Sequence, residues 1–247
     1  MRWNSGALLL ARLTLASGLL ASPAALLVFS QPQAPPPTAM PSTPAPPVAP
    51  SYLVMIDPAH GGSDSGAALN PAIPEKDVTL AFARRLRQEL NSRGISATLV
   101  RDADIALSLD QRAGMVNAMQ PGLYLTLHAA SQGNGVVLYT AMLPPTGTNR
   151  GRFLDWQAAQ SGALVRSRWA QQQITASIHK MGFPMRSLTA ELRPLNNVTV
   201  AAMAVEVAPT TGEVSQLASV DYQSMVCAAL ANSIVQIAPA LRQRTAP

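Results

Sequence analysis

Four short apolar runs, Tyr52 to Ile56, Ala97 to Val100, Leu123 to Leu127 and Ala202 to Val207, constrain this chain more than any other feature. Each has the length and composition of a buried strand. The segments between them have helical spacing. From Glu75 to Arg93, the residues Val78, Phe82, Leu86 and Leu90 fall close to one face, and Gly94 follows as a stop. Ser108 and Gln111 form a capping-box pattern ahead of a short helix through Met119, and Pro121-Gly122 closes that connection. Leu164 to Met181 reads as a long helix with Trp169, Ile174 and Ile178 among its apolar positions. A last helix starts at Asp221 or a neighbour and runs to about Leu241, with Met225, Leu230, Ile234 and Ile237 facing inward. Val136 to Tyr139 is short and β-branched, as expected of an edge strand, and Leu192 to Leu195 is expected as a further short strand. Strands alternating with helices predict an α/β fold: a mostly parallel, mixed central sheet with helices on both faces, in a single domain over residues 51–247.

The first 50 residues have a different character. Arg2 opens the chain, and Leu13 to Phe29 is a mostly apolar stretch of 17 residues. Val28-Phe29-Ser30 then offers compact residues at the positions a signal peptidase reads, so residues 1–30 are expected to be an export signal cleaved before Gln31. The alternative is an uncleaved membrane anchor. A span needs ~20 apolar residues, and Ser17, Gly18, Ser22 and Pro23 weaken this one. Residues 31–50 hold nine prolines and read as an extended linker. Export would put the protein in the periplasm or at the cell wall, on a membrane only if the N-terminal segment stays uncleaved.

Candidate chemistry collects at the ends of the strands. Ile56-Asp57-Pro58-Ala59-His60-Gly61-Gly62 carries the first run into a Gly-rich loop, and His128 ends the third run before Ala129-Ala130-Ser131. In open α/β sheets, ligands bind at the carboxyl edge of the strands. His60, His128 and His179 are the three histidines of the chain. Glu75 follows Pro74 and opens a helix close to the loop of His60. Two strand-end histidines with a carboxylate can hold zinc and leave a fourth position for water. The same residues can equally be hydrogen-bonded groups at strand ends, and spacing alone leaves both readings open. His179 sits near a helix C-terminus beside Lys180, where the dipole favours it. Glu206 lies within an apolar strand, where a carboxylate must be paired, hydrogen-bonded or near a metal. Cys227 is the single cysteine and is expected to be a small buried apolar residue.

Several ordered motifs resemble one family. They are Asp57-Pro58-Ala59-His60-Gly61-Gly62-x-Asp64-x-Gly66-Ala67, Glu75-Lys76-Asp77-Val78-x-Leu80, Leu99-Val100-Arg101-Asp102-x-Asp104, Leu107-Ser108-Leu109-x-x-Arg112, Asn117, Leu127-His128-Ala129 and Val205-Glu206-Val207. Together they are similar to the zinc-dependent N-acetylmuramoyl-L-alanine amidases, amidase family 3. The resemblance implies that His60, Glu75 and His128 bind one zinc ion and that Glu206 is the catalytic acid/base. It also implies the substrate, the amide between N-acetylmuramic acid and L-alanine in peptidoglycan. In some members a segment corresponding to Met142–Ser161 covers the active site until a partner moves it, so a protein activator is a possible partner.

The chain departs from the family pattern at three places. Ala59 stands where the family usually has Gly, Ala130 where it often has Asn, and Ala208-Pro209 where it commonly has Gly-Phe. None removes a ligand. They motivate an alternative, a weakly active or inactive peptidoglycan-binding protein on the same fold. A third reading is another zinc peptidase such as a carboxypeptidase, which needs a cation for the substrate carboxylate, with Arg101, Arg112 and Arg193 as candidates. The net charge of +5 comes mostly from arginine. No long basic run with interleaved aromatics is present, so the sequence carries no nucleic-acid footprint.

Overall fold

The fold was obtained as a computed structural model that describes residues 52–143 and 155–245. The expected signal or anchor, the linker, and residues 144–154 of the irregular segment lie outside the described residues.

A six-stranded sheet organises the domain. Its strands are β1 (Leu53–Pro58), β4 (Ser96–Leu99), β5 (Leu123–Ala129), β6 (Gly135–Ala141), β7 (Met185–Ala190) and β8 (Ala202–Ala208), in the order β4-β1-β5-β8-β6-β7. β4, β1, β5 and β8 are parallel. β6 runs antiparallel to β8 and parallel to β7, so the sheet is mixed. A two-stranded ribbon, β2 (Ala68–Asn70) with β3 (Ile73–Pro74), precedes the first helix.

The helices cover both faces, as the alternation predicted. α1 (Glu75–Ser92), α3 (Leu164–Lys180) and α4 (Val220–Thr245) share one face. There Phe82, Leu86, Leu90, Ile174, Ile178, Leu230 and Ile234 pack against Val54, Ile56, Leu125 and Val205. Each such side chain contributes about 1.5–3 kcal/mol when fully buried. α2 (Leu109–Met119) covers the other face, where Ala113 and Val116 meet Met55 and Tyr124. Its start is fixed by the predicted capping box: Gln111 N donates to Ser108 Oγ, and Ser108 N donates to Gln111 Oε1. By length and composition α4 could cross a membrane, but its apolar side forms part of the core.

Three expectations need correction. Val136–Tyr139 belongs to β6, an inner strand between β8 and β7. Its continuous apolar run marks a strand covered on both faces. The edge strand on this side is β7, whose Met-Arg-Ser-Leu-Thr-Ala sequence has four exposed positions and gives no alternation to read. Leu195–Asn197 is a 3-10 turn rather than part of a strand. Met225 is 49% exposed, while Tyr222, Val226 and Cys227 turn inward.

Tyr52 and Gly122 immediately precede β1 and β5, at the amino edge of the sheet. A Cβ on Gly122 would lie 2.3 Å from the Tyr52 ring, so this approach requires glycine. Arg242, near the end of α4, stands 5.8 Å above the same ring.

Candidate metal centre

The carboxyl edge of β1 delivers His60 in an unusual conformation. His60 has φ 63°, in the left-handed region that L-residues with side chains rarely adopt. Strain of this kind persists only when the surroundings over-determine it. Here two buried guanidinium groups catch three consecutive carbonyls. Arg112 donates to the carbonyl oxygens of Pro58 at 2.9 Å and His60 at 2.6 Å. Arg101 donates to Pro58 O at 2.9 Å and Ala59 O at 3.0 Å. Arg112 also pairs with buried Asp57, whose other oxygen accepts from Tyr124 Oη at 2.6 Å. Further along the loop, Lys76 Nζ donates to Gly62 O, and Gly62 N donates to Asp104.

Glycine is required on the far side of His60. Gly66 has φ +67°, and a Cβ there would sit 2.6 Å from His60 Cδ2 and 2.8 Å from Glu75 Oε2. Ala59, by contrast, has no positive φ and is buried. Nothing in its backbone demands the glycine that the family usually has there.

Glu75 begins α1, where the positive end of the helix favours a carboxylate. Its Oε2 accepts from Ala67 N at 3.0 Å and its Oε1 from Ala129 N at 3.2 Å. His60 Nε2 lies 3.1 Å from Oε2, and His128 Nδ1 lies 3.0 Å from Oε1. Burial alone would raise the Glu75 carboxyl, but its contacts with His128, His60, Ala67 and Ala129 outweigh burial and hold it well below the usual range. His128 is the sixth residue of β5, so it belongs to the strand rather than following it.

One candidate ligand atom from each of His60, Glu75 and His128 lies within 4.8 Å of the others. The donor chemistry suits a cation. His60 Nδ1 is 2.9 Å from Asp64 Oδ2, to which it donates. A neutral His60 therefore turns a bare Nε2 toward a carboxylate oxygen, an arrangement that needs a proton or a metal ion between the two. Ligands at zinc distances of ~2.0–2.1 Å in a tetrahedron stand about 3.3 Å apart; the two nitrogen–oxygen contacts here are 3.1 and 3.0 Å, to the two different oxygens of Glu75.

Glu206 occupies the neighbouring strand. In the β5–β8 register it stands opposite His128. Its side chain is partly exposed, between buried Val205 and Val207. Tyr139 Oη donates to Glu206 Oε1 at 3.2 Å. All four residues named from the sequence thus lie at one edge. His179 is exposed at the end of α3 and takes no part in the three-residue cluster.

Sequence reasoning missed Tyr139 and could not place Arg101 or Arg112. The signal for Tyr139 was strand parity: it lies two residues from Val137, which pairs with Glu206. Arg101 and Arg112 gave no comparable signal, since, Asp57 apart, their main partners are backbone carbonyls.

A family model described as N-acetylmuramoyl-L-alanine amidase matches residues 54–236, a span that includes all four site residues. The chain belongs to the N-acetylmuramoyl-L-alanine amidase family. The endolysin of Bacillus phage SPP1 is 31% identical over 160 residues, which are 63% of this chain and 54% of the endolysin. The chain thus spans about half the length of that relative. Among solved structures, amidase Ami1 from Mycobacterium smegmatis superposes with a TM-score of 0.61 at 18% identity, covering 76% of this chain and 97% of Ami1. The CwlD amidase from Clostridioides difficile, solved in complex with the GerS lipoprotein, has a TM-score of 0.56 at 18% identity, with 77% and 100% coverage. These two likenesses bear on the fold of the amidase domain, including its mixed sheet.

Proposed function

We propose that this protein is a zinc-dependent N-acetylmuramoyl-L-alanine amidase. It hydrolyses the amide between the lactyl group of N-acetylmuramic acid and the L-alanine of the stem peptide in peptidoglycan. The observation that carries this reading is the convergence of His60, Glu75 and His128 beside Glu206, in a chain of this family.

His60, Glu75 and His128 hold the zinc ion, which when bound supplies Lewis acidity for the scissile carbonyl and for the attacking water. Asp64 fixes the His60 ring by accepting from Nδ1, and the Ala67 and Ala129 amides fix the Glu75 carboxylate. Glu206 takes a proton from the water as its oxygen bonds to the carbonyl carbon. Glu206 then passes that proton to the alanine nitrogen as the C–N bond breaks. The products are a lactyl carboxylate and a stem peptide with a free amino terminus.

The carboxypeptidase reading loses its anchors. Arg101 and Arg112 are each 2% exposed and committed to loop carbonyls, and Arg193 is paired with Asp110. The binding-protein reading gives no account of a retained Glu206 beside the three candidate ligands.

Residues 1–30 act as the export signal or anchor and residues 31–50 as a spacer, consistent with a substrate outside the cytoplasm. A regulatory protein partner belongs to the same reading, supported by the complex solved for CwlD.

The test is digestion of purified peptidoglycan with mass analysis of the soluble products. Stem peptides beginning at L-alanine, lost on chelation and restored by zinc, are expected. Products cut elsewhere in the stem would overturn the assignment.

A further inference from the structure

We propose that Tyr139 is a positioning residue for Glu206: its hydroxyl pins one carboxylate oxygen and leaves the other to carry the proton. This rests on the amidase reading above. Glu206 lies on β8 opposite Val137 of β6, which has no polar side-chain atom to offer. Tyr139 lies two residues further along β6, opposite Ala204. On an antiparallel pair, such a diagonal neighbour is within reach of a long aromatic side chain. Ala204 is small and buried, so the ring can cross it and bring Oη to 3.2 Å from Glu206 Oε1. Among the described residues this is the one hydrogen bond to the Glu206 side chain, and Oε2 has none.

The arrangement has a chemical consequence. A carboxylate that works as base and then acid must hold one oxygen toward the water and then toward the leaving nitrogen. Free rotation about the terminal bond of Glu206 would spread that oxygen over many directions. A donor on Oε1 removes most of that freedom while leaving Oε2 its lone pairs. Tyr139 itself packs against the buried cluster that includes Met55, Tyr124 and Ala204. The donor therefore sits on a rigid strand rather than on a loop. Contacts of this type are often long before substrate binds and tighten in the complex.

The experiment compares wild type, Tyr139→Phe, Glu206→Gln and the double variant on one peptidoglycan substrate, with zinc content and Tm measured for each. Tyr139→Phe keeps the ring and its packing. The expected result is a fall in kcat of about 10-fold, within the span that misplaced general acid–base groups produce. KM should stay within about twofold, and zinc should remain at one per chain. In the Glu206→Gln background, Tyr139→Phe should add no further loss, because residues acting as one unit are not additive. Wild-type kcat in Tyr139→Phe would overturn the inference, as would an equal fractional loss in both backgrounds. If wild type releases no stem peptide, the amidase reading fails. Normal wild-type release with an unaffected Tyr139→Phe removes only the role of Tyr139.

Discussion

Arg112 donates to the carbonyl oxygen of His60 at 2.6 Å while its other terminal nitrogen pairs with Asp57, deep in the sheet. The left-handed turn at His60 is thereby tied to the core rather than to the surface. Lysine at this position offers one point charge and cannot serve both Asp57 and two carbonyls. Arg112→Lys is expected to lower stability by about 1–3 kcal/mol, the usual penalty for leaving a buried acceptor unsatisfied. Chemical denaturation measures this, and chelator competition should show weaker zinc binding in the fraction that stays folded.

Removing a ligand should separate metal loss from unfolding. His128→Ala should lose most bound zinc while the sheet persists, since His128 is partly exposed near the strand end. Metal analysis alongside circular dichroism tests this. Unchanged zinc stoichiometry would refute the ligand role. Glu206→Gln, by contrast, should keep its zinc and lose at least ~10²-fold in turnover.

Gly66 gives a steric test of the same site. Gly66→Ala would place a methyl group 2.6 Å from the His60 ring at a φ of +67°. The expected result is a stability loss of about 1–3 kcal/mol and reduced zinc affinity. A variant with wild-type affinity would mean that the loop relaxes without moving His60.

The segment after β4 carries a pH-dependent tie to α1. Arg84 Nε and Arg87 Nη1 donate to Asp102 at 2.7 and 2.8 Å and hold its carboxyl below the usual range. A folded-state pKa lower than the unfolded one contributes stability that is present above the unfolded value, ~3.9. That contribution disappears as pH falls through the folded value. Asp102 is about half exposed, so solvent screens the pair. Asp102→Asn should lose no more than about 1 kcal/mol at pH 7. The gap to wild type should close on acidification below ~3.9 and shrink in high salt. Thermal melts across pH and salt would show it.

Much of this architecture was legible because buried strands and amphipathic helices leave strong patterns. The run before His60 and the period of Val78, Phe82, Leu86 and Leu90 each report one element facing one core. His60, Glu75 and His128 could be grouped because ordered motifs surround them. What stayed hidden depends on relations between distant segments. β7 exposes Arg186, Ser187, Leu188 and Thr189, so its place is set by pairing with β6 rather than by its own pattern. Met225 shows how a single position of helical phase escapes a reading by spacing. The roles of Arg101 and Arg112 depend on carbonyls more than 40 residues away, and the contact of Tyr139 with Glu206 spans 67 residues.

Arg242 standing over the Tyr52 ring brings the first and last described parts of the domain together at the amino edge of the sheet. His60, Glu75 and His128 lie at the opposite edge, about 20 Å away along strands of six or seven residues. The two described ends of the domain therefore lie side by side, on the side away from His60, Glu75 and His128. The same geometry would let this unit be spliced into a host loop without turning its chemistry toward the host.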